Sequence, residues 1–98
     1  MLEQHKAALK AVEQVLVGSL RPSYLISKSY DTHNHIIMSC PLFRYHGIDD
    51  RVDLVLDLLW IRVPELMKSS PLLVECFSSS EITDLLEYTL GEHSNENS

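Results

Sequence analysis

The chain has 98 residues, of which eight are basic and fourteen acidic, so its formal charge is −6 with histidine neutral. This length suits one domain, because a core of that size buries roughly 60 to 70% of the unfolded surface. The 45% hydrophobic and 22% charged residues are typical of a globular protein. The acidic balance opposes a phosphate backbone and therefore disfavours nucleic acid as a partner.

Two features of the sequence bear on its compartment. Glu3, His5 and Lys6 stand where a secretory signal needs an apolar run, and no stretch approaches the roughly 18 apolar residues of a membrane span. Cys40 and Cys76 lack CxxC spacing and fall in separate apolar segments, which favours free buried thiols. We therefore expect a cytoplasmic protein without a membrane partner.

The first elements are predicted to be a helix and a hairpin. The helix is expected to end at Gly18 and Ser19. Asp31 to Asn34 contains residues that bond their own backbone or tolerate left-handed dihedrals, which predicts a turn between two strands. Pro41 ends the second strand because it removes a backbone donor. The helical stripe is Leu2, Leu9, Val12 and Leu16, and the strands are Tyr24 to Tyr30 and His35 to Cys40.

A long helix is predicted next, after a loop from Phe43 to Gly47. It is expected to run from Asp49 to Val63, with Asp49 or Asp50 as its N-cap. Its core stripe recurs at steps of three and four residues and consists of Val52, Val55, Leu56, Leu59 and Val63. Its polar complement is Arg51, Asp53, Asp57 and Arg62.

The last elements are a short helix, a strand and a terminal helix. Pro64 separates the short helix from the long one. Ser78 and Glu81 form a capping box that starts the terminal helix, and Gly91 is expected to stop it. The third strand is Leu72 to Phe77, and the apolar residues of the terminal helix are Ile82, Leu85, Leu86 and Leu90.

This element order, α-β-β-α-(α)-β-α, predicts an α+β fold. Three strands cannot close on themselves, so we expect a three-stranded sheet with the helices packed on one face. The single domain is expected to span residues 1–91, and residues 92–98 are expected to form a disordered polar tail.

Histidines around the hairpin are the candidate metal ligands. His33, His35 and His46, with Cys40 nearby, carry the imidazole and thiolate groups that bind transition metals. The alternative is that they are exposed histidines without a ligand. No glycine-rich oxyanion or phosphate loop accompanies them, so we expect no catalytic residues and no enzyme activity. The aspartates of the long helix have two interpretations. They are an N-cap and a solvent-exposed face, or they bind magnesium or calcium.

The long helix also carries more apolar groups than one core face requires. We therefore expect a small non-enzymatic protein-binding or regulatory domain that docks on another protein or on itself. The competing interpretations are a metal-binding protein and a KH-like nucleic-acid binder, although the chain has no GxxG loop. The expected partner-binding residues are Tyr45, Leu54, Leu58, Trp60 and Ile61.

Three segments resemble the BolA-like family, which has the class II KH-like topology. They are Leu20 to Leu25 with its proline before the first strand, Phe43 and Gly47 before Arg51 and Val55, and Leu72 to Glu81 with its capped helix.

The resemblance implies a monothiol glutaredoxin as partner and a shared iron–sulfur cluster. It places a histidine ligand at the start of the long helix, where this chain has Asp50 and Arg51. The longer glycine-containing hairpin loop of the family is also missing. A cluster would therefore need His33, His35 or His46 in place of the family's ligand.

Overall fold

The computed structural model describes residues 2–85 and confirms the predicted α+β fold class and element order. The tail predicted for residues 92–98, like the rest of residues 86–98, lies outside the described residues. The helices are α1 (Leu2–Leu20), α2 (Ile48–Arg62) and α3 (Pro64–Ser69), with a 3₁₀ helix at Pro41–Tyr45 and a helical segment, α4, at 79–85. The strands are β1 (Tyr24–Ser29), β2 (Asn34–Ser39) and β3 (Leu72–Cys76).

The three strands form one mixed sheet in the order β1-β2-β3. β2 is central and pairs antiparallel with β1, so that Ile37 lies opposite Ile26. On its other side β2 pairs parallel with β3, which places His35 opposite Leu73. A parallel pair cannot be joined by a tight turn, so the chain between β2 and β3 crosses over through α2 and α3.

The two faces of the sheet are unlike each other. Ile36 and Met38 of β2 and Val74 of β3 are buried, and they belong to one apolar core with residues of α1 and α2. Ile26 and Leu73, which point to the opposite face by strand alternation, are each 51% exposed. The helices therefore cover one face of the sheet, as the sequence predicts.

The centre of the core lies between α1, the 3₁₀ helix and α2. Leu16, Phe43, Val55 and Leu59 are completely buried there. Val55 and Leu59 belong to the predicted stripe of α2 and are one helical turn apart, which confirms the spacing argument for those two residues.

The first helix ends later than the glycine signal predicts. α1 continues through Gly18 to Leu20, and Arg21 then adopts the left-handed conformation with φ of 48°. Leu20 packs against the core, so burial extends the helix beyond Gly18. The left-handed residue after the helix is thus an arginine, which pays a steric cost that glycine would avoid.

The predicted start of the long helix is also wrong in detail. Pro41 begins a 3₁₀ helix instead of a loop, because its fixed φ suits the first position of a helix. α2 then starts at Ile48 with Gly47 as its N-cap, which offers no side chain for capping. Asp49 and Asp50 lie in the first turn, where their charge favours the helix dipole but neither is the cap.

We expect truncation of Leu59 to destabilise the domain strongly. Leu59→Ala should lower the free energy of unfolding by about 2 to 5 kcal/mol, because it leaves a cavity at a fully buried site. Ile61→Ala is the control on the same helix, and it should change stability by less than about 0.5 kcal/mol because Ile61 is 77% exposed. Urea unfolding measures both, and equal losses would contradict the assigned core.

Candidate functional site

The face of the sheet opposite the helices is the candidate functional site, and we call it the open face. Strand alternation and register place these side chains on it: Tyr24, Ile26 and Lys28 of β1, His35, Ile37 and Ser39 of β2, and Leu73 and Glu75 of β3. Within residues 2–85, α1 contacts β1 and β2 and α2 contacts β3 from the other side.

Aliphatic side chains run across the middle of the open face. Ile26 and Ile37 are directly opposite each other, and Leu73 lies on the next strand, beside His35. Because neighbouring strands are about 4.8 Å apart, these groups span about 10 Å from β1 to β3. Ile26 and Leu73 each keep half of their surface in solvent. The result is a small apolar strip across the three strands, exposed at Ile26 and Leu73 and half-buried at Ile37.

A histidine and a glutamate interrupt this strip. Nε2 of His35 lies 3.4 Å from a carboxylate oxygen of Glu75, but without the alignment of a hydrogen bond. Nε2 is itself shielded from solvent, although the His35 side chain as a whole is 23% exposed. Ser39, opposite Tyr24, is completely buried and its hydroxyl has no hydrogen-bond partner. The open face therefore contains polar groups that are only partly satisfied.

The partner-binding residues expected from the sequence are divided between core and surface. Leu54 and Leu58 pack against the apolar core and are half-buried. Trp60 and Ile61 are exposed near the end of α2, and Tyr45 is exposed before its start. At a rise of 1.5 Å per residue, the twelve positions from the first residue of α2 to Trp60 span about 18 Å. Tyr45 and Trp60 therefore lie towards opposite ends of α2.

The candidate metal ligands are also apart. His33 lies in the hairpin turn, where its Nδ1 is 2.9 Å from the Thr32 hydroxyl and its ring stacks on Tyr30. His35 lies on the open face, and His46 lies between the 3₁₀ helix and α2. Among residues 2–85, no three His, Cys, Asp or Glu side chains are grouped so that they could hold a metal ion.

Arg51 has a role that the sequence did not indicate. It belongs to the predicted polar complement of α2, yet it is only 7% exposed. Its Nε donates to the backbone oxygens of Phe43 at 3.0 Å and His46 at 2.9 Å, and a terminal nitrogen donates to Glu81 at 3.0 Å. It therefore joins the 3₁₀ helix, α2 and α4. The one signal in the sequence for this role was Glu81, an acidic residue of the predicted capping box.

The position of Arg51 also bears on the BolA-like resemblance. The resemblance places a cluster-binding histidine in this neighbourhood, and a guanidinium has no lone pair for a metal. The neighbouring His46 contributes a backbone oxygen to Arg51. These residues do not fit an iron–sulfur cluster held in the manner of that family.

A second buried polar group connects α1 to the sheet. Nδ1 of His5 is 2.5 Å from the Ser70 hydroxyl, and the Asn34 side-chain amide donates to the His5 backbone oxygen at 2.9 Å. All three residues are at most 3% exposed. A serine, a histidine and an asparagine are thus together, but a substrate has no access to them. They hold α1, β2 and the end of α3 in place.

Both thiols are buried and protonated at neutral pH. Burial raises the pKa of Cys40, although backbone hydrogen bonds oppose the effect. Burial and the neighbouring Cys40 raise the pKa of Cys76 to about 11. Neither cysteine forms a disulfide. Because the thiolate is the nucleophile, these environments suppress cysteine chemistry.

Comparisons with known protein families, characterised proteins and solved structures find no match to this chain. The BolA-like resemblance consequently stays a prediction. No helix within residues 2–85 is long and apolar enough to cross a membrane.

We expect both thiols to resist labelling in the native protein. At about pH 8, dithiobis-nitrobenzoate should react with Cys40 and Cys76 more than about a hundredfold more slowly than in guanidinium chloride, because the native thiols are buried and few are ionised. The released thionitrobenzoate absorbs visible light and gives both rates. Rapid labelling of either cysteine in the native state would contradict its assigned environment.

We expect Glu81 to stabilise the fold only above its unfolded-state pKa. Hydrogen bonds from the Ser78 side chain and then from Arg51 hold the pKa of Glu81 below its usual value of 4.5. This contribution is complete above pH 4.5 and is lost as the pH falls through the lower folded-state value.

Glu81→Gln should therefore destabilise the protein at pH 7, and the difference from wild type should shrink below pH 4.5. Chemical unfolding between pH 3 and 7 measures this difference. Glu65→Gln removes a carboxylate that is 87% exposed and serves as the control with little effect at any pH. A difference for Glu81→Gln that did not change with pH would exclude this role.

Proposed function

We propose that this protein is a non-enzymatic binding domain that uses the open face to dock an amphipathic helix of another protein. The exposed Ile26 and Leu73, with the half-buried Ile37 opposite Ile26, carry the proposal. Exposed apolar surface on one contiguous face is a common sign of a binding site. The buried thiols and the inaccessible His5 and Ser70 support a non-enzymatic role.

The dimensions of the open face favour a helix as its occupant. Three strands give a surface about 10 Å wide between the outer strand axes, which matches the diameter of roughly 10 to 12 Å of a helix with side chains. α1 and α2 cover the opposite face of the same sheet. A helix from a partner would complete a three-layer arrangement, with the sheet between two layers of helix.

The small area of the open face favours a transient partner. Six residues along a strand and three strands across give about 20 Å by 14 Å, or about 300 Å². A partner that covers this face would bury about 600 Å² over both surfaces, well below the roughly 1,200 Å² of a stable interface. Lys28 and Glu75 lie on different strands of this face, so the bound helix is expected to carry an acidic and a basic residue on opposite flanks.

We further propose a cytoplasmic location for this binding domain. The support is that Cys40 and Cys76 are both free, as expected in a reducing compartment. A glutaredoxin as partner rests on the sequence resemblance alone. The open face itself requires only an apolar helical surface, whatever protein supplies it.

Charge substitution on the open face tests the proposal. Leu73→Lys should abolish binding of the partner helix, because it places a charge in the apolar strip, while the exposed position lets the domain fold. Ile61→Lys is the matched control, since it adds the same charge at an exposed aliphatic residue of α2. Circular dichroism of both variants establishes that they are folded.

The measurement compares proteins captured from cell lysate by wild type and by each variant, followed by cross-linking of the captured complexes. We expect a partner that Ile61→Lys retains and Leu73→Lys loses, cross-linked through a segment with apolar residues at helical spacing. Loss with Ile61→Lys alone would move the binding surface to α2. Capture that neither substitution reduces would overturn the proposal.

A further inference from the structure

A groove runs between α1 and the outer edge of β1, and it shares Lys28 with the open face. Its volume is about 600 Å³, which lies in the range of ligand-binding clefts. α1 contributes Lys6, Lys10 and Glu13 to its wall, and residues 27–29 of β1 form the other side. Since residues of both strand faces line it, the groove follows the edge of the strand.

The edge of β1 presents backbone groups to this groove. β1 is the outermost strand, with β2 as its one neighbour in the sheet. Tyr30 N–H donates to the His33 oxygen at 2.8 Å, so the even-numbered residues of the strand bond towards β2. Backbone groups of an antiparallel edge strand alternate in direction, so those of Ser27 and Ser29 point away from β2. Among residues 2–85 no strand pairs with this edge, which leaves these groups available to another chain.

The groove is basic although the protein is acidic. Lys6, Lys10 and Lys28 line it, in a chain whose formal charge is −6. Within residues 2–85, Lys10 forms no ion pair, and the contact of Lys6 with Glu3 is long, at 3.8 Å between exposed side chains.

The remaining charged groups do not cancel this basic wall. Lys28 lies over the Tyr30 ring, 5.1 Å from its centre, and keeps its charge. Glu13 is the one acid lining the groove, and it accepts a hydrogen bond from the Ser27 hydroxyl. The lysines thus outnumber the carboxylate along the free strand edge.

We propose that this groove binds an extended acidic peptide segment of another protein, which adds to β1 as a fourth strand. Strand addition at an exposed edge supplies affinity through backbone hydrogen bonds, and side-chain contacts supply specificity. Here Ser27 and Ser29 supply the backbone groups, and the lysines select carboxylates on the peptide.

The spacing of the lysines supports a peptide in preference to a single small anion. α1 runs along β1, since Glu13 contacts Ser27 while the backbone of His5 contacts Asn34, the partner of Ser29. Lys6 and Lys10 are one turn apart, a rise of about 6 Å. Alternate side chains of an extended peptide repeat every 6.6 Å or so. Carboxylates at two alternate positions therefore match the two lysines.

The test uses a fluorescein-labelled peptide, Thr-Glu-Val-Glu-Val-Glu-Thr, and measures its binding to the full chain by fluorescence anisotropy. We expect a Kd below about 1 mM that weakens with salt, as for other charge-guided complexes. Amide shifts in nitrogen–proton correlation spectra should concentrate in residues 25–29 and on α1. No binding at that concentration would overturn the proposal.

The contributions of the lysine charges and of the backbone hydrogen bonds to peptide binding are then tested separately. Lys10→Glu should weaken binding about threefold to tenfold, while Lys68→Glu, at an exposed lysine of α3, should have no effect. A peptide N-methylated at alternate residues keeps its charge but loses strand donors, and it should bind at least about tenfold more weakly. Equal binding of both peptides, or full competition by millimolar inorganic phosphate, would reduce the groove to a simple anion site and overturn strand addition.

This proposal does not require a helix bound on the open face, although both surfaces include Lys28. Leu73→Lys changes β3, at the opposite edge of the sheet, and should leave peptide binding unchanged. Light scattering with and without peptide tests the alternative that a second copy of this chain binds at the β1 edge. A concentration-dependent dimer that prevents the peptide from binding would show that a second copy occupies the β1 edge, and the proposal would fail.

Discussion

The parallel pairing of β2 with β3 is the constraint on which the rest of the structure depends. A hairpin cannot join parallel strands, so the chain must leave the end of β2 and return to the start of β3. Residues 40–71 make this crossover and place α2 on the face that α1 also covers. Because both helices share one side, the core forms there, and neither helix covers the other side of the sheet.

Two buried polar groups hold this crossover at its ends. Arg51 ties the 3₁₀ helix to α4 near the carboxyl end of β2, and a guanidinium buried among oxygen acceptors is costly to leave unpaired. At the other end, Ser70 precedes β3 and contacts both His5 and Asn34. The helices are therefore positioned by specific hydrogen bonds as well as by apolar packing, which alone has little directionality.

The sequence correctly predicted the elements whose apolar residues repeat because one face is buried. It was least accurate where a single tertiary contact determines the burial of a residue or the end of a helix. Val55 and Leu59 repeat because one helix face meets the sheet, and such repeats are visible in the residues themselves. The burial of Arg51 depends on carbonyl oxygens that converge only in three dimensions. Likewise, the core contact of Leu20 carries α1 past Gly18, and no local pattern encodes that contact.

The candidate surfaces differ in the same way in how far the sequence reveals them. The sequence shows the excess of apolar residues on α2. It does not show the core residues against which Leu54 and Leu58 pack. Ile26, Ile37 and Leu73 belong to three separate segments, so only the register of the sheet brings them together. Sequence patterns identify a surface within one element, whereas a site built across strands requires the topology.

β1 contributes to both proposed surfaces through the alternation of a strand. Its even-numbered side chains, Ile26 among them, point to the open face, while the backbone groups of Ser27 and Ser29 point to the free edge. A peptide strand added at that edge would lie beside Ile26 and would widen the open face by about 4.8 Å. A wider sheet gives a docked helix more surface to cover, so occupation of the groove would favour binding on the open face. The two sites would then be coupled through one short strand without any change in the core.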